Sequence, residues 1–91
     1  MKLHPSLKRM RFATILVLGA RIDISRTGNH DGTWLWKVQL TWATPQASGL
    51  LDKALSSVKS KPSTKNYGFL VLEKLAKAIH KTKAEANILI T

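Results

Sequence analysis

Few side chains in this sequence are of the types that catalyse reactions, and their spacing does not bring them together. Three histidines and five acidic residues stand against fifteen lysines and arginines. No two acids fall close together in the expected elements, as a metal site or a general acid–base pair requires. The histidines lack the spacing of metal ligands, so we expect ordinary surface imidazoles at His4, His30 and His80. The acids are Asp23, Asp31, Asp52, Glu73 and Glu85.

Other signatures of catalysis are also missing from the sequence. The chain has no cysteine, which excludes a disulfide framework, a thiolate zinc site and a cysteine nucleophile. It has neither a glycine-rich phosphate loop nor the elbow that presents a serine nucleophile. We therefore predict a protein that is not an enzyme, with no catalytic residue, no metal and no cofactor.

The charge of the chain indicates an anionic partner. Its 91 residues have a formal net charge of +10 and are 44% hydrophobic, so the chain is both foldable and strongly basic. Nucleic acid is the commonest partner of such a protein, and an anionic membrane surface is the second candidate. No stretch approaches the ~20 apolar residues that cross a bilayer. We expect a soluble intracellular protein without a membrane partner, in the cytoplasm or an organelle such as the mitochondrion.

The N-terminal segment is basic over residues 1–11 and mostly apolar over 12–20, as in a short secretory peptide or an organellar presequence. The apolar run is short, and Leu18 is bulky where a cleavage site needs a small side chain. A targeting role is therefore disfavoured. The sequence leaves open whether the segment is a helix, a strand or a targeting remnant.

A long antiparallel hairpin is the clearest element of the sequence. Apolar and polar residues alternate over about 18–26 and 33–43, and turn-forming residues separate the two runs. One register matches apolar with apolar residues and an acid with a lysine, whereas a slip by one residue breaks these matches. The predicted pairs are Arg26–Trp34, Ile24–Trp36, Ile22–Val38, Ala20–Leu40, Asp23–Lys37 and Arg21–Gln39.

Helices are predicted after the hairpin. Thr44 and Pro45 form an N-cap and a first helical position, which begin a helix over about 45–58. A polar loop leads to a second helix over about 68–81. The capping box of Thr82 and Glu85 predicts a short C-terminal helix, with a terminal strand over 87–90 as the alternative. The predicted fold class is α+β in a single small basic domain, residues 1–91, with the two main helices packed on the tryptophan face of the hairpin.

The three tryptophans of the hairpin allow two interpretations. They are either core residues beneath the helices or a platform on which unpaired bases stack, at about 1–3 kcal/mol per base. Val38 and Leu40 interleave with them, and an isolated hairpin is marginally stable until its apolar face is covered. Core packing is therefore favoured, and Trp34 or Trp42 at the edge is the expected exception.

The candidate nucleic-acid contacts fall into four groups. These are the basic N-terminal segment, the polar face and tip of the hairpin, the loop between the helices, and a lysine row on the second helix. Such side chains contact phosphates and base edges, and an ordinary solvated surface is the alternative for each group. The residues are Lys8, Arg9, Arg11, Arg21, Arg26, His30, Lys37, Gln39, Lys59, Lys61, Lys65, Lys74, Lys77 and Lys81.

Parts of the chain resemble the LAGLIDADG homing endonucleases and their maturase relatives. Residues 37–42 and 50–55 look like that family's second strand and following helix, and residues 69–75 and 81–89 look like its later helix and Lys-x-x-x-Ala-Asn-x-Leu ending. In the family, a helix bearing the name motif precedes the sheet, and its final acid binds the catalytic metal.

Residues 16–23 would correspond to that name motif, and they depart from it. Arg21 intrudes, Asp23 is displaced by one place, and the second Gly-Asp-Gly is absent. Only about eight residues separate the two main helices, where the family inserts a further pair of strands. The resemblance implies a shortened derivative that keeps a basic nucleic-acid-binding architecture and has lost the machinery of cleavage.

The predicted function is non-catalytic binding of nucleic acid, with RNA favoured over DNA. Small, very basic domains without cysteine are typical of ribonucleoprotein components, here of the ribosomal or intron-splicing type, where other proteins could also be partners. One alternative is a LAGLIDADG-type DNA endonuclease half that acts as a dimer, with Asp23 as the candidate metal ligand. Another is a basic inhibitor module that docks an acidic protein surface.

Overall fold

A computed structural model of the protein describes residues 10–28 and 34–91, which form a four-stranded antiparallel sheet and two helices. In chain order the elements are β1 (Phe12–Val17), β2 (Ala20–Gly28), β3 (Trp34–Thr41), α1 (Pro45–Ser56), α2 (Tyr67–Thr82) and β4 (Ala86–Ile90). The strands are ordered β3-β2-β1-β4, so the last strand lies beside the first. The α+β fold class is confirmed.

The N-terminal segment that the sequence left open contains a strand. β1 pairs with β2 through a two-residue turn, Leu18–Gly19, whose φ angles are 52° and 80°. Positive φ at both central positions is what a type I′ turn requires, and this turn matches the twist of the flanking strands. Ala13, Ile15 and Val17 of β1 are buried in the core. The strand β2 therefore pairs with β3 on one side and with β1 on the other.

The predicted register of the β2–β3 hairpin is wrong by two residues. Arg26 lies opposite Trp36, and Asp23 lies opposite Gln39 instead of Lys37. A shift by two keeps every side chain on its predicted face, so the apolar pattern alone does not distinguish the two registers. In the structure β2 continues to Gly28, two residues beyond its predicted end. The other predicted pairs are replaced in the same way, by Ile24–Val38, Ile22–Leu40 and Arg21–Thr41.

Helix α1 begins as predicted and ends two residues early. The Thr44 hydroxyl accepts a hydrogen bond from the Ala47 amide at 3.2 Å and donates one to the Leu18 carbonyl at 2.9 Å. The first bond caps the helix, and the second ties the helix start to the β1–β2 turn. Helix α2 exceeds its predicted range by one residue at each end.

The predicted C-terminal helix is wrong, and the alternative, a terminal strand, is confirmed. Thr82 belongs to α2, and its hydroxyl donates to the carbonyls of Ala78 and Ile79, both at 3.1 Å. Lys83 then adopts a left-handed conformation, with φ of 57°, which ends the helix. β4 pairs with β1, so backbone bonds across the sheet replace the reciprocal bonds of a capping box.

The core lies between one face of the sheet and the helices. Helix α2 packs against β2 and β3, and α1 packs against α2. The largest fully buried side chains come from the two central strands and from α2, namely Ile15, Ile22, Ile24, Val71, Leu72 and Leu75. Leu50, Leu51 and Ala54 of α1 join the same cluster. The prediction of helices on the apolar face of the hairpin is confirmed.

The tryptophans of the hairpin have different environments. Trp36 is buried, with 4% of its surface exposed, whereas Trp42 is 69% exposed and is therefore not a core residue. Trp42 follows the last residue of β3 with a positive φ of 53°, which breaks the alternation that would direct its side chain inward. The side chain of Trp34 is not among those that the structure describes.

Gly68 and Gly49 provide a matched pair of glycines within helices. A Cβ at Gly68 would lie 2.3–2.6 Å from three ring atoms of Trp36, whereas a Cβ at Gly49 would have no neighbour within 4 Å. We expect Gly68→Ala to lower the free energy of unfolding by about 1–3 kcal/mol through overpacking. Gly49→Ala should raise it by about 0.5–1 kcal/mol through backbone entropy. Urea titration of both variants checks the opposite signs, and equal effects would contradict the close approach at Gly68.

Candidate nucleic-acid interface

A basic groove lies between the two helices. A cavity of about 390 Å³ is lined by one lysine from α1 and by three lysines and a histidine from α2. We call these five residues, Lys53, Lys74, Lys77, His80 and Lys81, the helix-groove cluster. Lys74, Lys77 and Lys81 are spaced i, i+3 and i+7, which places them along one side of α2. The predicted lysine row therefore faces a concave surface that it shares with Lys53.

The remaining lining of the groove favours the approach of an anion. Ala54, Ser57 and Ala78 complete the lining, and none of the groove residues is acidic. Small side chains between the lysines let a phosphate come close to both helices. Lys53 lies in the last turn of α1, and His80 and Lys81 lie in the last turn of α2, where cations also interact favourably with the helix dipole.

The predicted loop lysines lie in the segment that runs beside β3. The Trp36 amide donates to the Pro62 carbonyl at 3.0 Å, and the Trp36 indole Nε1 donates to the Lys65 carbonyl at 3.2 Å. These two bonds attach the loop to the edge strand of the sheet. Lys59, Lys61 and Lys65 are all exposed, so their charges form a second basic region, outside the helix groove.

Arg26 of β2 lies opposite Trp36 of β3, and its guanidinium lies over the buried Trp36 ring. Its guanidinium carbon is 5.7 Å from the centroid of the Trp36 ring, within the range of a cation–π contact. Partial burial, and secondarily the charge of Arg11, lower the pKa of the Arg26 guanidinium from its ordinary value. The Arg26 amide also donates to the Arg11 carbonyl at 3.2 Å, so the two arginines are neighbours. Arg26 is thus partly a packing residue.

The face of the sheet that faces away from the helices holds the other described candidates. Lys37 and Gln39 are exposed on β3. Arg21 of β2 donates through Nε to both carboxylate oxygens of Asp23, at 3.0 and 3.1 Å. Asp23 also accepts a hydrogen bond from the Thr14 hydroxyl at 2.8 Å, so the predicted pairing of Asp23 with Lys37 is replaced by contacts with Arg21 and Thr14.

The structure therefore divides the predicted contact residues among separate surfaces. The lysine row of α2 lines a concave site, and Lys8, Arg9 and His30 lie outside the described residues. Lys53 and His80 also line that site and were not predicted from the sequence. Lys53 lies next to the apolar stripe of Leu50 and Ala54 in the sequence of α1. This position beside the buried face was the sequence signal that could have identified it. The packing of α1 on α2 then brings it to the lysine row.

Asp23 is the residue on which the endonuclease alternative depends. Its carboxylate is engaged by Arg21 and Thr14, and residues 16–23 form a strand, a tight turn and a second strand. Within residues 10–28 and 34–91, no group of three or more histidine, aspartate or glutamate side chains could hold a metal ion.

The two helices were also compared with membrane-spanning helices. Among residues 10–28 and 34–91, neither helix has the length and apolar character needed to cross a membrane.

Comparison with protein-family models, with curated proteins and with solved structures finds no match to this chain. The resemblance to LAGLIDADG proteins therefore stays a prediction.

Proposed function

We propose that this protein binds RNA without catalysing a reaction and that the helix-groove cluster contacts the phosphates. The observation that supports this most directly is the acid-free groove, in which four lysines and a histidine from two helices surround one cavity. Lysine ammonium groups bind phosphates as point charges, without a fixed geometry. A groove of this kind suits a backbone that repeats its charge along a strand.

We propose that the protein acts within a ribonucleoprotein. A strongly basic small domain without cysteine fits a component of a ribonucleoprotein, of the ribosomal or intron-splicing type, in the cytoplasm or an organelle. RNA is favoured over DNA on this compositional ground. A shortened LAGLIDADG derivative retained in such a particle would combine the resemblance with the loss of cleavage.

Salt dependence of binding tests the proposal. Binding through phosphates releases counterions, so the logarithm of affinity should fall by about 0.7–0.9 per log unit of salt for each phosphate contacted. We expect Lys77→Gln to lower the slope by about one such step and the affinity about fivefold near 0.1 M salt. The measurement is fluorescence anisotropy with labelled RNA at several salt concentrations.

Lys83→Gln is the matched control, because Lys83 is exposed and does not line the groove. It removes the same charge and should change the slope less than Lys77→Gln does. Affinity that does not vary with salt would contradict the proposal. A tight protein partner combined with weak, non-specific RNA affinity would favour the inhibitor module instead.

A further inference from the structure

A second cavity lies at the β1–β2 turn, away from the helix groove. It has a volume of about 610 Å³, within the range of small-ligand sites. Its lining includes one leucine of β1 and one of the turn, the exposed tryptophan after β3, and two polar residues, one just before β4 and one within it. We call it the turn cavity, and these residues are Leu16, Leu18, Trp42, Glu85 and Asn87.

Two residues of the turn cavity have strained backbone conformations. Leu18 and Trp42 have φ angles of 52° and 53°, and among the described residues Lys83 is the only other non-glycine with a positive φ. Large side chains disfavour this left-handed region, whereas glycine and asparagine tolerate it. Backbone strain of this kind is concentrated at ligand sites. In the turn cavity both strained residues, Leu18 and Trp42, have exposed apolar side chains.

Burial does not account for the choice of these side chains. Leu18 is 39% exposed, Trp42 is 69% exposed, and Leu16 beside them is 38% exposed. Asparagine is the residue that a type I′ turn favours at the position of Leu18. The chain thus has strained, solvent-exposed apolar groups where a polar residue would be less strained.

The chemistry of the turn cavity fits a nucleobase. An exposed indole offers a flat surface on which any base can stack. The Asn87 amide can donate and accept hydrogen bonds, and the Glu85 carboxylate can accept them from amino or imino groups. Arg21, whose Nε donates to Asp23, lies on β2 opposite Leu16 and Thr41, which places a cation on the strand next to the cavity-lining Leu16. An unpaired nucleotide presents the matching plane, base edge and phosphate.

We propose that the turn cavity holds one unpaired RNA base stacked on Trp42. The proposal rests on the proposed function, because the basic surfaces bring the polyanion to the protein. It adds a preference for single-stranded over double-stranded RNA, since a base within a duplex does not expose its faces. The helix groove supplies affinity that depends on charge, and the turn cavity supplies affinity that depends on an accessible base.

The test compares a ten-nucleotide oligouridine with an RNA duplex of equal phosphate number. Trp42→Ala should lower the affinity for the oligouridine about 5- to 150-fold and leave the affinity for the duplex unchanged. Trp42→Phe keeps an aromatic ring and should retain most of the affinity. Leu35→Ala is the control, because Leu35 is 49% exposed and does not line the turn cavity.

A second variant separates loss of binding from loss of stability. Leu18→Asn suits the left-handed position, so its thermal midpoint should not fall below that of the wild type, while its affinity for oligouridine should fall. Normal oligouridine affinity in Trp42→Ala would overturn the turn-cavity proposal and leave phosphate binding intact. Equal losses for single strand and duplex would overturn it as well. Absence of salt-dependent RNA binding in the wild type would instead contradict the proposed function.

Discussion

Replacing Trp36 with alanine is expected to lower the free energy of unfolding by about 3–5 kcal/mol, the usual cost of removing a large buried aromatic side chain. The indole is buried between the sheet and the start of α2, close enough that Gly68 has no room for a side chain. It also donates to the Lys65 carbonyl, which would lose its protein partner. The loss is a large share of the 5–15 kcal/mol that stabilises a typical domain.

Trp42→Ala provides the matched control for this prediction, because the chemical change is identical and the side chain is 69% exposed. It should change the free energy of unfolding by less than about 1 kcal/mol, as exposed substitutions do. Trp36→Phe keeps an aromatic ring in the core but loses the indole donor, so an intermediate effect is expected. Urea titrations followed by circular dichroism give all three values. Equal losses for Trp36→Ala and Trp42→Ala would contradict the assignment of Trp36 as the core anchor.

The face assignments of the hairpin could be predicted from sequence because they depend on alternation alone. Ile22, Ile24 and Trp36 are buried, and Lys37 and Gln39 are exposed, as the period of two requires. The register was not determined in the same way, because a shift by two residues preserves every face. What distinguishes the registers is tertiary: β2 is held by β1 on one side, and the loop carbonyl of Pro62 holds Trp36 at the other.

The C-terminal strand shows how long-range pairing overrides a local signal. Thr82 and Glu85 match a capping box, but Ile88 and Ile90 also alternate with polar or exposed neighbours. β1 offers an edge on which these residues pair, and Ile88 and Ile90 then pack against the core. Local sequence could not decide between the two outcomes, since the partner strand is about seventy residues away along the chain.

The helix groove likewise required the packing of two helices. Periodicity placed Lys74, Lys77 and Lys81 in one row, but it did not show what faces that row. The structure adds Lys53 and His80 across and along the groove, with Ala54 and Ala78 between them. The turn cavity depends even more on three dimensions, because its residues come from the β1–β2 turn, the end of β3 and the start of β4.

Neutralising three lysines of the helix groove at once should have the largest effect on binding. We expect the triple variant Lys74→Gln, Lys77→Gln and Lys81→Gln to lower RNA affinity roughly 100- to 500-fold at 0.1 M salt, from three lost contacts of about 0.7–0.9 log units each. The salt slope should fall by about 2–3 for the same reason. These side chains are half-buried or exposed, so the fold should persist, which circular dichroism checks.

The loop lysines provide the matched comparison for that variant. Lys59→Gln, Lys61→Gln and Lys65→Gln also remove three positive charges, but from exposed positions beside β3, outside the groove. A protein that binds RNA through its net charge alone would lose the same affinity in both triple variants. Binding centred on the groove predicts a clearly smaller loss for the loop variant, because its three lysines do not line the groove and exposed charges are screened with a Debye length of about 10 Å near 0.1 M salt. Equal losses of RNA affinity, or a larger loss in the loop variant, would indicate that the RNA-binding surface lies outside the helix groove.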